Sequence, residues 1–197
     1  MSPKTPAAAP ELRSARLLLR APSLALTAAV HDYQLRNRAH FAPWDPPYPP
    51  AFFTPESVAE RLRQGEQAFA AGAAYRYWFC PLEQPDRVIG QAHLSQVARG
   101  PFQNTMLGYS LDEQAVGRGL MQEGLRAAID EMFGPAVRLH RIQAAVRPEN
   151  ARSRAVLQAL GFAQEGLSRR YLFIDGAWRD HEVYALLNPA WPQDLAP

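Results

Sequence analysis

Apolar positions along the chain alternate between helical and strand spacing, and the points where the spacing changes mark out the elements. "RSARLLLRAPS" is a short apolar run closed by Pro22 and reads as a first strand. From Leu24 to Phe41, the positions Leu26, Val30, Tyr33 and Leu35 fit an amphipathic helix. Thr54, with Glu56 and Ser57 behind it, opens a second helix running to about Ala71 before Gly72, with Val58, Leu62 and Phe69 on its buried stripe. "YRYWFCPL", "RVIGQAHLSQVA" and "TMLGYSLD" then turn to β-branched and aromatic composition between turn residues, which predicts consecutive antiparallel strands.

Helical spacing returns at Leu120, Met121, Leu125, Ala128, Ile129, Met132 and Phe133 and stops before Gly134-Pro135. Gly124 inside this stripe costs about 1 kcal/mol relative to alanine, which predicts close packing against a neighbour. "LHRIQAAVRP" reads as a strand, Asn150 caps a helix through Leu160 that stops at Gly161, and two strands flank the hairpin signal Asp175-Gly176. The order β, α, α, β, β, β, α, β, α, β, β predicts an α+β (mixed α/β) sheet with helices on its faces. One domain over residues 12–191 is expected, with a Pro/Ala-rich flexible tail at 1–11 and a short tail at 192–197.

Composition narrows the function classes. The formal net charge of +2 comes without a basic run of five, so no nucleic-acid interface is indicated. The single cysteine, Cys80, excludes an internal disulfide and a cysteine-built metal site, and in an apolar strand it reads as a buried small hydrophobe. No metal site is expected. "LLLRAPSLALTAAV" is broken by Arg20 and Pro22, so neither export nor a membrane span is supported and a cytoplasmic protein is expected. "FAPWDPPYPPAFF" interleaves five prolines with aromatic residues and reads as a stiff loop rather than a linker.

The chemistry concentrates in "QAVGRGLMQ", a glycine-rich turn between a strand and a helix. Such a turn is either a tight turn or an anion seat, because free N–H groups and the helix dipole converge there. A P-loop would need Gly-Lys-Ser/Thr, and a dinucleotide fingerprint would need a third glycine where Gln122 stands; both fail. What remains is Gln114-x-x-Gly117-x-Gly119, followed one strand later by Asn150-x-x-Ser153 on a helix that ends in Leu160-Gly161-Phe162.

With those two signatures in that order, the chain resembles the GNAT superfamily of N-acetyltransferases. It is similar in particular to the ribosomal-protein alanine N-acetyltransferase branch, through "APWDP", "RGPFQ…LGYSLDEQAVGRGLM", "HRIQA…PENARS", "LGFAQEG" and "YLFIDGAWRDHEVYAL", together spanning about residues 14–191. The resemblance implies a twisted, mostly antiparallel sheet splayed between its fourth and fifth strands, with acetyl-CoA wedged into the splay. It also implies pyrophosphate binding by the backbone of Val116, Gly117, Arg118, Gly119 and Leu120, and pantetheine binding by the backbone near Ser110 and Leu111. Asn150 and Ser153 are implied as cofactor contacts.

Amine attack on a thioester needs a neutral amine, an oriented carbonyl and a proton for the leaving thiolate. An α-amine of pKa about 7.7–8.0 is partly neutral near pH 7.5, whereas a lysine near 10.4 is not. His93, mid-strand, is a candidate base or a structural strand histidine. The tyrosine acid of several superfamily members stands five residues before the phenylalanine of the Gly-Phe pair, where this chain has Leu157, so Ser153 is the implied substitute; otherwise it only stabilises the helix start. Trp44, Tyr48, Tyr109 and Tyr171 are candidate substrate contacts or core aromatics.

The expected function is acetyl transfer from acetyl-CoA to the N-terminal α-amine of a protein, an alanine of a small-subunit ribosomal protein being the implied acceptor. Two alternatives stay open: a polyamine or aminoglycoside acceptor, and a noncatalytic CoA-binding ribosome-assembly factor. Either a monomer or a homodimer fits the sequence.

Overall fold

The computed structural model describes residues 11–192. The tails expected at 1–11 and 192–197 lie outside it apart from Glu11 and Pro192, and Glu11 begins a strand. Eight strands form one sheet: β1 (Glu11–Arg13), β2 (Leu17–Arg20), β3 (Tyr75–Pro81), β4 (Gly90–Ala98), β5 (Asn104–Leu111), β6 (Arg141–Val146), β7 (Ala163–Ile174) and β8 (Ala177–Leu187). Their order across the sheet is β1-β2-β3-β4-β5-β6-β8-β7, and only the β5–β6 pair is parallel. Among the described residues there are five α-helices: α1 (Thr27–Arg36), α2 (Arg38–Phe41), α3 (Pro55–Ala70), α4 (Leu120–Phe133) and α5 (Ala151–Ala159).

The single first strand expected from the sequence is a tight hairpin, β1–β2, closed where Ser14 N–H donates to the Leu17 carbonyl at 2.9 Å. The single first helix divides into α1 and α2 at Asn37. The buried Asn37 side chain donates to the Tyr33 carbonyl at 2.9 Å and accepts from Glu113 N–H at 3.0 Å, a tertiary bond that competes with helix continuation. Of the expected apolar face, Leu26, Val30 and Tyr33 are buried, but Leu35 is 46% exposed.

Strand alternation sorts the core into two layers. Leu17 and Leu19 join Phe79, Leu94 and Leu107 under α4 and α5, while Leu18 joins Trp78, Cys80 and Val88 under α1 and α3. Cys80 is fully buried, as its apolar neighbours suggest, and burial lifts its thiol pKa to about 11. At Gly124, a Cβ would lie 2.6 Å from Phe79, which explains a glycine in mid-helix. Asp175 (φ 50°) and Gly176 (φ 70°) form the tight turn of the β7–β8 hairpin.

The splay follows from register. β5 pairs with β6 only from Asn104↔Arg141 to Leu107↔Ala144, so Gly108 to Leu111 keep their β4 neighbour on one side and present the other edge to a gap.

Candidate active site

The glycine turn is held from beneath. The Asp112 side chain, 2% exposed, accepts from Gln114 N–H at 3.0 Å and pairs with Arg36 at 2.8 Å. Burial pushes the Asp112 pKa up, but the Gln114 N–H and Arg36 outweigh it and hold the carboxyl below its usual value. Glu123 in the first turn of α4 would repel an anion, yet it is turned onto Ser14 (2.7 Å) and Arg16 (2.6 Å). Arg16 also donates to the Arg118 carbonyl at 3.1 Å, which fixes the loop.

Above that support, Gly117 (φ 77°) and Gly119 (φ 75°) occupy the left-handed region, and a Cβ on Gly117 would meet nothing within 4 Å. Among the described residues, no backbone or side-chain acceptor takes the N–H groups of residues 116 to 122. Seven consecutive free donors at a helix N-terminus fit a pyrophosphate.

On the far side of the gap, the Asn150 side chain accepts from Ser153 N–H at 3.1 Å and caps α5. The Ser153 hydroxyl lies 2.7 Å from the Tyr109 hydroxyl, which also donates to the Ser153 carbonyl at 3.0 Å. Tyr109, one of the aromatic candidates for substrate contact, therefore bridges the splay from β5 to α5. Burial raises its pKa, so its phenol is neutral at ordinary pH. Arg154 is bound to Glu182 at 2.9 Å, while Arg152 is exposed.

Alternation along β5 points the next residue, Ser110, to the other face of the sheet. Its hydroxyl accepts from Tyr33 at 2.8 Å and from Gln91 at 3.0 Å, and it lines a cavity of about 410 Å³ between the sheet, α1, α3 and the proline-rich loop. Tyr48 lines the same cavity, stacked on Phe52 with centroids 3.9 Å apart. Trp44 and Tyr171 do not. Trp44 lies under the Arg147 guanidinium at 5.3 Å, and Tyr171 packs edge-on to His181 at 5.4 Å.

His93 does not present a base. Its Nδ1 accepts from the Arg76 guanidinium at 2.8 Å, which occupies the ring's lone pair. Burial first, and the Arg76 charge second, lower its pKa to about 3, so it would hold no proton taken from an ammonium. The sequence could not show this, because Arg76 meets His93 only through the β3–β4 register.

Arg147, just beyond β6, strings the two sides together. It donates to the Pro43 carbonyl at 2.7 Å, covers Trp44, and approaches Glu149 (3.3 Å) and Asp175 (4.0 Å). Losing that bond and the cation–π contact is expected to raise KM for the acceptor about tenfold in Arg147→Ala with unchanged CoA affinity. Steady-state kinetics beside a CoA titration check this; equal losses in both would contradict a role confined to the loop.

Residues 16–163 match the acetyltransferase (GNAT) domain family, three quarters of the chain. The chain belongs to the GNAT acetyltransferase family. It is 38% identical over 160 residues to the [Ribosomal protein uS5]-alanine N-acetyltransferase of Escherichia coli, covering 81% of each protein. The solved ribosomal-protein-S5-alanine acetyltransferase of Vibrio fischeri superposes with a TM-score of 0.88 at 36% identity, over 93% of this chain and 99% of that one. RimJ of Mycobacterium smegmatis, solved as a complex with CoA-disulfide, gives a TM-score of 0.82 at 31% identity, over 94% and 89% of the two chains. The protein is thus an N-acetyltransferase that uses acetyl-CoA, and its mixed sheet with helices on both faces is the GNAT fold. Among the described residues, no helix is long and apolar enough to cross a membrane.

Proposed function

We propose that this N-acetyltransferase acetylates the N-terminal α-amine of a protein, with an alanine of a small-subunit ribosomal protein as its physiological acceptor. The observation that carries the reading is the cavity that reaches the splayed strand at Ser110, of a size that admits the first residues of a peptide. The named activities of the relatives above support the same acceptor. Arg38, Arg61 and Arg76 line the cavity against only Asp45 and Asp175, a balance that disfavours polyamines and aminoglycosides. A peptide brings one cation and a series of carbonyl acceptors, which suits it better.

When bound, acetyl-CoA supplies the thioester carbon that the amine attacks, the C–N bond forming as C–S breaks. In this reading the N–H groups of residues 116 to 122 hold the pyrophosphate, and the free edge of Gly108 to Leu111 orients the acyl arm and its carbonyl. The Ser153–Tyr109 hydroxyl pair gives one proton to the departing sulfur and regains one from the former amine nitrogen, so the pair is unchanged over a turnover.

Peptides beginning with Ala or Ser are expected to release CoA thiol with the full chain, and N-terminally blocked versions are expected to be inert. Ser153→Ala should lower kcat about 100-fold, with the double variant carrying Tyr109→Phe no slower, because the two act as one unit. No transfer to any free N-terminus by a chain that binds CoA would refute the reading.

A further inference from the structure

Every buried or half-buried carboxylate around the site except one has a cationic partner. Asp112 pairs with Arg36, Glu123 with Arg16 and Glu182 with Arg154. The exception is Asp45, in the middle of the proline-rich loop. Among the described residues it makes no ion pair within 4 Å and its carboxylate takes no hydrogen bond, although it lines the acceptor cavity.

Its position is fixed by backbone, not by side-chain partners. Asp45 N–H donates to the Phe41 carbonyl at 3.0 Å, and Trp44 N–H donates to the same oxygen at 2.8 Å. Pro43 before it is clamped by Arg147, and Pro46 and Pro47 stiffen the chain after it. The three guanidiniums of the cavity are all turned elsewhere. Arg38 lies 4.6 Å over the Phe53 ring; Arg61 lies 3.7 Å over Phe52 and bonds Gln34 and Ser57; Arg76 bonds Gln91 and His93.

Partly desolvating a carboxylate without a counter-charge carries a cost that a cationic ligand in the cavity would relieve. Ser110, on the strand edge that faces the splay, lines the same cavity, so the unpaired carboxylate and the acyl-transfer edge share one space. From this geometry we infer that Asp45 is the residue that binds the acceptor's α-ammonium and takes one of its protons.

The inference rests on the α-amine reading above and names the residue that would recognise that amine. The proton balance closes: of the three hydrogens on the ammonium nitrogen, one passes to Asp45, one reaches the CoA sulfur through Ser153 and Tyr109, and one stays on the product amide. Asp45 later releases its proton to water. Burial raises the Asp45 pKa to about 6, and desolvation would lower that of the amine, which narrows the gap for transfer between them.

The other ionisable groups facing the cavity are Tyr33 from α1, Arg38 from α2, Tyr48 from the loop, Arg61 from α3, Arg76 from β3 and Asp175 from the hairpin turn. Burial raises both tyrosines, and Asp175 is already bonded to Arg179 at 2.8 Å.

The test uses the full chain saturated with CoA and two peptides: one with a free N-terminal alanine, and a des-amino analogue in which a propionyl group replaces that alanine. The wild-type protein is expected to bind the free amine about 30-fold or more tightly than the analogue, and Asp45→Asn to reduce that ratio to about twofold. With acetyl-CoA, the Asn variant should lose about 100-fold in kcat/KM at pH 6.5 but less than about tenfold at pH 9.5, where the amine has already shed its proton. Wild-type protein that acetylates the peptide yet binds both versions equally would overturn the inference and leave the α-amine reading standing; so would an Asn variant with the wild-type ratio. Wild-type protein that acetylates no peptide at all defeats the α-amine reading itself and the inference with it. If the Asn variant does not fold, Asp45→Ser is measured in its place, and equal binding of the two peptides by the wild type overturns the inference on its own.

Discussion

Gly117→Val is expected to weaken CoA binding about a hundredfold or more while leaving the fold in place. Gly117 sits at φ 77°, and a β-branched side chain there is strained by roughly 1–3 kcal/mol. No protein atom lies within 4 Å of the position its Cβ would take, so the fold itself has room. That open space adjoins the run of N–H groups at residues 116 to 122 that find no acceptor among the described residues, and a valine there both intrudes on the ligand and rotates the peptide planes that carry them. Each lost hydrogen bond to a charged group is worth about 1.5–3 kcal/mol, and two of them account for a hundredfold or more. Calorimetric titration with CoA, beside a melting curve, reads both quantities. An affinity within threefold of wild type would show that the turn is only a turn.

Gly124→Val is expected to have the largest effect on stability, with no direct effect on the site. A Cβ at residue 124 would stand 2.6, 2.7 and 2.9 Å from three carbons of the fully buried Phe79 ring. That ring belongs to the core layer between the sheet and α4 and has nowhere to swing without opening the contact. Overpacking of this kind costs about 1–3 kcal/mol or more, and the helix-propensity gain over glycine returns less than about 1 kcal/mol of it. A loss of about 3 kcal/mol corresponds to a Tm lower by roughly 6–12 °C in a chain of this size. An unchanged Tm in a thermal melt would mean that α4 and β3 do not pack as described.

The contrast between these two glycines shows what was legible in the sequence. Gly124 is announced by a helical stripe it interrupts, Asp175-Gly176 by turn chemistry, and Gln114, Gly117 and Gly119 by a strand and a helix on either side. These signals are local, and the elements they predict are the ones observed. Features that depend on distant partners could not be read in the same way. Asn37 divides the first helix because Glu113, 76 residues on, uses its side chain. His93 is disabled as a base by Arg76 across a strand pair.

The site lay between these cases. Alternation along β5 puts Tyr109 and Ser110 on opposite faces, and that much is available from the strand itself. That Tyr109 would meet Ser153 and Ser110 would meet Tyr33 depends on which helices cover those faces. Asp45 carries no local signal of a role. In "APWDPPYPP" it is one acid among prolines and aromatics, and only its side chain's lack of an ion pair or hydrogen bond among the described residues sets it apart.

Transfer to an N-terminal α-amine fixes where the acetyl group must appear on a peptide product. The direct measurement incubates the protein with acetyl-CoA and a peptide that carries both a free N-terminal alanine and an internal lysine, then locates the acetyl group by fragmentation mass spectrometry. Acetyl is expected on the α-nitrogen and none on the lysine. Acetyl on the lysine side chain, or none on either nitrogen with CoA bound, would contradict it.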